Sequence, residues 1–192
     1  MEDWLQVTVL QGYGLRLEPV EDRHLAGLVA STDEETFRWF TSAPEARTPE
    51  AMRVHLASRP DAGHVAFATC DAESGEVLGS SAYLDVAPRH RAVEIGYTWF
   101  ARKHRGTRVN PAAKLLMLGH AFETCGAVRV QLKTDERNEA SRAAIAKLGA
   151  KEEGRLRSHR LMPDGHWRTT VYFSVIEQEW PQVREGLLHR LQ

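Results

Sequence analysis

The stretch Arg102-Lys103-His104-Arg105-Gly106-Thr107-Arg108-Val109-Asn110-Pro111 is the part of this chain best suited to holding an anion. Arg102, Lys103, Arg105 and Arg108 supply positive charge. Alternating apolar residues precede the stretch (Val93, Ile95, Tyr97, Trp99), and an amphipathic run follows it (Ala112, Leu115, Leu116, Leu118, Phe122). That order reads as strand, loop, helix. A helix start presents backbone N–H groups without intrahelical partners, and cations beside them make it a ready phosphate site. On the loop alone, a phosphate cradle and a solvated basic turn fit equally well.

Glu94, in the strand before the loop, is a second candidate. Alternation places it with Ala92, Gly96 and Thr98, opposite Val93, Ile95, Tyr97 and Trp99. A carboxylate among small residues suits the border of a cleft, where it can serve as a general base. A solvent-facing strand glutamate fits the same pattern. Trp39 and Phe40 read either as the mouth of such a cleft or as core. His159 and His166 flank a hairpin and read first as surface residues, Cys125 as packing, and Trp167, Tyr172 and Phe173 as sheet packing. The histidines show neither H-E-x-x-H nor a Cys/His cluster, so no metal is expected.

Composition narrows the classes. The chain has 192 residues, 42% hydrophobic and 27% charged, which suits one globular domain over 1–192. A formal net charge of −1, and no basic stretch interleaved with aromatics, argues against nucleic acid as a partner. Unbroken apolar runs such as Leu115 to Leu118 are far too short for a membrane span. Met1 to Leu10 lacks the layout of a secretion leader, and two cysteines suggest a reducing compartment. A cytoplasmic protein is expected.

The elements that must position these residues follow from periodicity and punctuation. Strands are expected at Leu15–Leu17, Val65–Cys70, Val77–Val86, Arg91–Phe100 and Val128–Leu132. Helices are expected at Glu21–Ala30, from Asp33 through Phe40, at Pro49–Ala57, from about Pro111 to Thr124, and at Glu139–Leu148. Gly126 and Gly149 stop the last two. Turns fall at Pro60–Gly63 and Glu73–Glu76. Pro163-Asp164-Gly165 joins the hairpin Lys151–Leu161 and His166–Ile176, and Trp180–Gln192 has helical character. Hairpins at both ends with a strand–helix–strand crossover between them argue for α/β with a mixed sheet.

Taken together, Arg105-Gly106-Thr107-Arg108-Val109-Asn110 between strand and helix, then Asn138-Glu139-Ala140-Ser141 and Leu148-Gly149, resemble the GNAT acyltransferases. The nearer branch is that of the ribosomal-protein N-terminal acetyltransferases. The resemblance runs from Leu15-Arg16-Leu17 to the hairpin around Gly165. It implies a single mixed, largely antiparallel sheet with helices on both faces, acetyl-CoA as co-substrate, and a homodimer. The family's loop pattern is Gln or Arg, two residues, Gly, one residue, then Gly or Ala. Arg105 fits its first position, while Arg108 and Asn110 stand where small residues are expected. Asn110 is expected to cap the helix and Pro111 to open it.

By this resemblance, Arg105, Gly106, Thr107, Arg108, Val109 and Asn110 hold the coenzyme A pyrophosphate. Trp99, Phe100 and Ala101 pair their backbone with the pantetheine arm, much as a peptide adds to a sheet edge, and Asn138 bonds the arm or caps its helix. Glu94 is the general base, and Ser141 either protonates the leaving thiolate or caps its helix. The acceptor is an amine, on a protein N-terminus or a small molecule. The alternative is a GNAT-fold module that binds an acyl-coenzyme A or a partner without turnover. Neither G-x-x-x-x-G-K-[ST] nor G-x-G-x-x-G opens a helix, so nothing supports a nucleotide-triphosphate or dinucleotide site.

Overall fold

The computed structural model describes residues 4–58 and 63–192. Among these the alternating segments pair into one eight-stranded sheet. Its strands are β1 (Leu10–Gly12), β2 (Leu15–Pro19), β3 (Val65–Asp71), β4 (Val77–Ala87), β5 (Ala92–Phe100), β6 (Arg129–Asp135), β7 (Lys151–Leu161) and β8 (Trp167–Ile176). They lie in the order β1-β2-β3-β4-β5-β6-β8-β7. Only β5 and β6 run parallel. The α-helices are α1 (Asp22–Ala30), α2 (Pro49–Ala57), α3 (Val109–Gly119), α4 (Glu139–Leu148) and α5 (Trp180–His189).

Alternation decides which helix covers which face. Phe67, Tyr83, Val93, Ile95, Val130 and Val175 point into one core with the apolar faces of α3, α4 and α5. Ala68, Cys70 and Trp99 point the other way and meet Leu25, Leu28 and Met52 of α1 and α2. Gly149 closes α4 with φ 100, the left-handed cap that glycine adopts without a Cβ penalty.

Several expectations shift. The segment Asp33–Phe40 forms turns rather than a helix. The Asp33 N–H donates to Thr36 Oγ1 at 2.8 Å, and that hydroxyl donates back to the Asp33 carboxylate at 2.7 Å. Such local side-chain bonds compete with the helical ladder. β1, too short to announce itself, extends the hairpin at Gly12–Leu15. α3 starts at Val109, so Arg108 takes the cap position and Asn110 falls inside the first turn. The helix expected to run on through Thr124 ends in a π-helical turn, His120–Thr124. The expected turn at Pro60–Gly63 lies largely outside the described residues.

The most consequential shift is in β5. Trp99 pairs with Ser80, but Gly96 pairs with Ala82, so Tyr97 and Thr98 together face Ser81. This is a β-bulge, with Tyr97 at φ 45. The extra residue reverses the facing expected beyond it. Thr98 turns toward α3, and Tyr97 and Trp99 join the face of Glu94, toward α1 and α2.

Candidate active site

β5 and β6 stay paired only from Ala92↔Arg129 to Glu94↔Gln131. Past Glu94 the bulged β5 follows β4 to Phe100, while β6 follows β8 to Asp135. A wedge opens between the two parallel strands, with Glu94 at its vertex. Along it the β6-facing backbone of β5, from Ile95 to Phe100, has no strand partner among the described residues. Trp99, Phe100 and Ala101 lie at the wide end.

The basic loop caps that wide end. Arg102–His104 make a 3₁₀ turn, then Gly106 takes φ 77 with nothing within 4 Å of where a Cβ would stand. The Thr107 hydroxyl donates to the His104 carbonyl at 2.8 Å, which folds the loop onto the first turn of α3. His104 Nε2 and Asn110 Oδ1 are buried without a hydrogen-bond partner among the described residues. A loop with open space over a left-handed glycine, orphaned polar atoms and a helix start suits a phosphate group.

Most of the loop's cations are committed to the protein. Arg105 Nε donates to the Phe100 carbonyl at 3.0 Å, and its Nη2 reaches Thr36 Oγ1 at 3.1 Å and Asp33 Oδ2 at 2.9 Å. Arg108 Nη2 donates to the Tyr13 carbonyl at 2.8 Å, and Lys103 pairs with Glu76 at 2.7 Å. Arg102 has no such partner among the described residues.

At the vertex, Glu94 is 1% exposed. Lys133 Nζ lies 2.8 Å from its Oε2, and Gln131 Nε2 donates to the same oxygen at 2.9 Å. Burial pushes the Glu94 carboxyl above its usual range, and Lys133 and Gln131 offset only part of that. Beyond β6, Asn138 caps α4 by accepting the Ser141 N–H at 3.0 Å. That leaves the half-buried Ser141 hydroxyl without a partner among the described residues. Residues 37–40 span the wedge on the Glu94 face. Phe40 packs on Tyr97 and Trp99, and Trp39 lies under the guanidinium of Arg137, 5.1 Å from its ring centroid.

A family model described as the acetyltransferase (GNAT) domain matches residues 14–151. The chain belongs to the GNAT acetyltransferase family. The "Putative ribosomal N-acetyltransferase YdaF" of Bacillus subtilis (strain 168) is 26% identical over 167 residues, covering 85% of this chain and 90% of YdaF. A crystal structure of a "putative acetyltransferase" from T. thermophilus is 39% identical with a TM-score of 0.87, covering 97% of this chain and 98% of that one. The fold also matches RimJ of Mycobacterium smegmatis, solved in complex with CoA-disulfide. That match has a TM-score of 0.76 at 22% identity, over 95% of this chain and 93% of RimJ. Membership makes the protein an N-acetyltransferase and implies acetyl-CoA binding.

The wedge and the strands beside it also carry polar residues that motif reading passed over. Gln131 and Lys133 alternate along β6, and parallel pairing with β5 is what brings them to Glu94. Asp135 is fully buried and bound by Arg137 through two nitrogens, at 2.8 and 3.2 Å. Arg168 on β8 is 6% exposed. His159, on the same face, bonds Thr170 at 3.0 Å. Trp167, expected to pack, is 57% exposed at the hairpin's end. Among the described residues, no group of His, Cys, Asp and Glu suits a metal ion, and no helix is long and apolar enough to cross a membrane.

Proposed function

We propose that the protein moves the acetyl group of acetyl-CoA to a protein N-terminal α-amine by direct attack in a ternary complex, with residues 1–192 acting as one catalytic domain. The observation that carries this reading is the wedge, with a buried, partly compensated Glu94 at its vertex and the Gly106 loop at its mouth.

Bound acetyl-CoA supplies the activated acyl group. In this reading Gly106, Thr107, Arg108, Val109 and Asn110 hold the pyrophosphate with backbone N–H groups, and Arg105 fixes the loop's shape. The unpaired edge at Trp99, Phe100 and Ala101 receives the pantetheine arm. An N-terminal ammonium has a pKa near about 8, against about 10.4 for lysine, so it is the easier to deprotonate. Glu94 accepts that proton, and the rise in its pKa makes it a better base. The Ser141 hydroxyl donates a proton to the leaving sulfur. Asn138 holds the first turn of α4 so that the hydroxyl can do so.

The ribosomal N-acetyltransferase name of YdaF supports a protein N-terminus as acceptor. Two cysteines without a disulfide support a cytoplasmic setting, and family resemblance supports a homodimer. The test is thiol release from acetyl-CoA with a panel of peptides and small amines, with products identified by mass. Acetylation at the peptide α-amine is the expected outcome. Acetyl-CoA binding without thiol release from any acceptor would show a binding module instead.

A further inference from the structure

Arg168 is a buried cation without a counter-ion of its own among the described residues. β8 pairs with β6 so that Thr170 lies opposite Asp135 and Tyr172 opposite Lys133. Alternation then places Arg168 on the face that carries Lys133, Asp135 and Glu94. Arg168 is 6% exposed, and its Nε is buried without a hydrogen-bond partner. No ion pair or hydrogen bond joins its guanidinium to any other described residue.

The neighbouring carboxylates are engaged elsewhere. Asp135 holds Arg137 through both oxygens. Glu94 Oε2 holds Lys133 and Gln131. Asp85 lies 3.5 Å from Lys133, and Asp164 lies 3.8 Å from Arg137. Asp135 and Glu94 act on Arg168 through space only, and Arg160, its partner across the β7–β8 ladder, opposes them. An unpaired buried charge is costly unless a ligand completes it. A guanidinium's planar fork of donors matches a carboxylate in particular.

We infer that Arg168 is a specificity residue of the acceptor site, receiving a carboxylate that the acceptor carries close to its reacting amine. The acceptor class is then a peptide with Asp or Glu among its first residues. This rests on the N-acetyltransferase reading above. Arg168 takes no part in the proton transfers; it selects and orients the acceptor that presents its amine to Glu94.

The experiment uses the full chain and short peptides matched in pairs, Glu against Gln and Asp against Asn, at each of the first three positions. Thiol release gives kcat and KM for the wild type, Arg168→Met and Arg168→Lys. The wild type should favour the acidic member at one position by on the order of tenfold in kcat/KM, mostly through KM, as a charge-assisted hydrogen bond would give. Arg168→Met should bring the ratio close to one, and Arg168→Lys should restore part of it. In melting curves with coenzyme A present, the acidic peptide should stabilise the wild type more than its neutral twin, and Arg168→Met should erase that difference. Equal handling of both members by the wild type, or a preference that survives Arg168→Met, overturns the inference. Failure of thiol release with every peptide overturns the reading of a peptide α-amine as acceptor, and the melting comparison still decides Arg168.

Discussion

The ammonium of Lys114 donates to the hydroxyl of Thr98 across 2.7 Å. Thr98 belongs to the bulge in β5, and the same nitrogen also reaches Ser81 Oγ, opposite the bulge, at 2.9 Å. Ser81 and Thr98 close the triangle at 2.7 Å. Lys114 thus pins from α3 the irregularity that lets β5 leave β6. It has no carboxylate partner among the described residues, and burial drives its pKa down to about 7.

A pH dependence of stability follows. The unfolded chain holds this proton up to about 10.4, whereas the folded chain releases it near 7. Between those values the unfolded state binds more protons, so stability rises with pH across that window, and the cost of the buried charge is felt in full below it. Lys114→Met should remove this slope. It should melt higher than the wild type at pH 6, with the gap narrowing toward pH 9.5. An unchanged slope in the variant would show that Lys114 does not titrate in the window.

Glu94 titrates in the opposite sense. Burial raises its pKa, so kcat/KM should climb with pH through a midpoint above the ordinary glutamate value of about 4.3. Lys133 draws the pKa down, and Lys133→Met should therefore move the midpoint upward. Glu94→Gln should cost roughly 10²–10⁴ in rate and lose that limb of the profile. A Glu94→Gln enzyme of near wild-type rate would end its role as base.

These sites differ in how far sequence shows them. Asn138 and Gly149 were legible because a helix cap and a left-handed stop are local features, whereas the cap reading of Ser141 fails, since only its backbone N–H meets the Asn138 side chain. The loop between strand and helix was legible for the same reason, although its helix starts earlier than Asn110 suggested. The bulge at Tyr97 was not. It depends on β4 pairing across it and on Lys114 reaching Thr98, and alternation alone put Thr98 on the wrong face. Glu94 was visible as a carboxylate among small residues, but Gln131 and Lys133 meet it only through the parallel crossover. Asp33–Phe40 has helical spacing, yet the Asp33–Thr36 bonds and the packing of Phe37 and Phe40 on Trp99 hold it in turns.

Arg105 and Arg108 make a contrasting pair. Arg105 ties the loop to the end of β5 and to the Asp33–Thr36 turn, so Arg105→Ala should distort the cradle. The expected result is a higher KM for acetyl-CoA and a loss of about 1 kcal/mol, or about 2–4 °C in Tm for a chain of this size. Arg108 turns away to the Tyr13 carbonyl. Arg108→Ala should change KM for acetyl-CoA less than Arg105→Ala does. The reverse order, measured by isothermal titration with coenzyme A, would place the Arg108 guanidinium on the phosphates.

Ser141 separates binding from turnover. Its N–H is spent on the Asn138 cap, while its hydroxyl has no described partner. Removing the hydroxyl leaves the cap intact, because the capping bond uses only the backbone of Ser141. Ser141→Ala should therefore keep its melting temperature and its affinity for coenzyme A, and lose turnover with a good peptide acceptor. Asn138→Ala differs, since it deletes the cap itself, at about 1 kcal/mol, and should lower both stability and turnover. If Ser141→Ala retains full turnover while Asn138→Ala loses it, the first turn of α4 serves to shape the wedge, and the proton on the leaving sulfur comes from elsewhere.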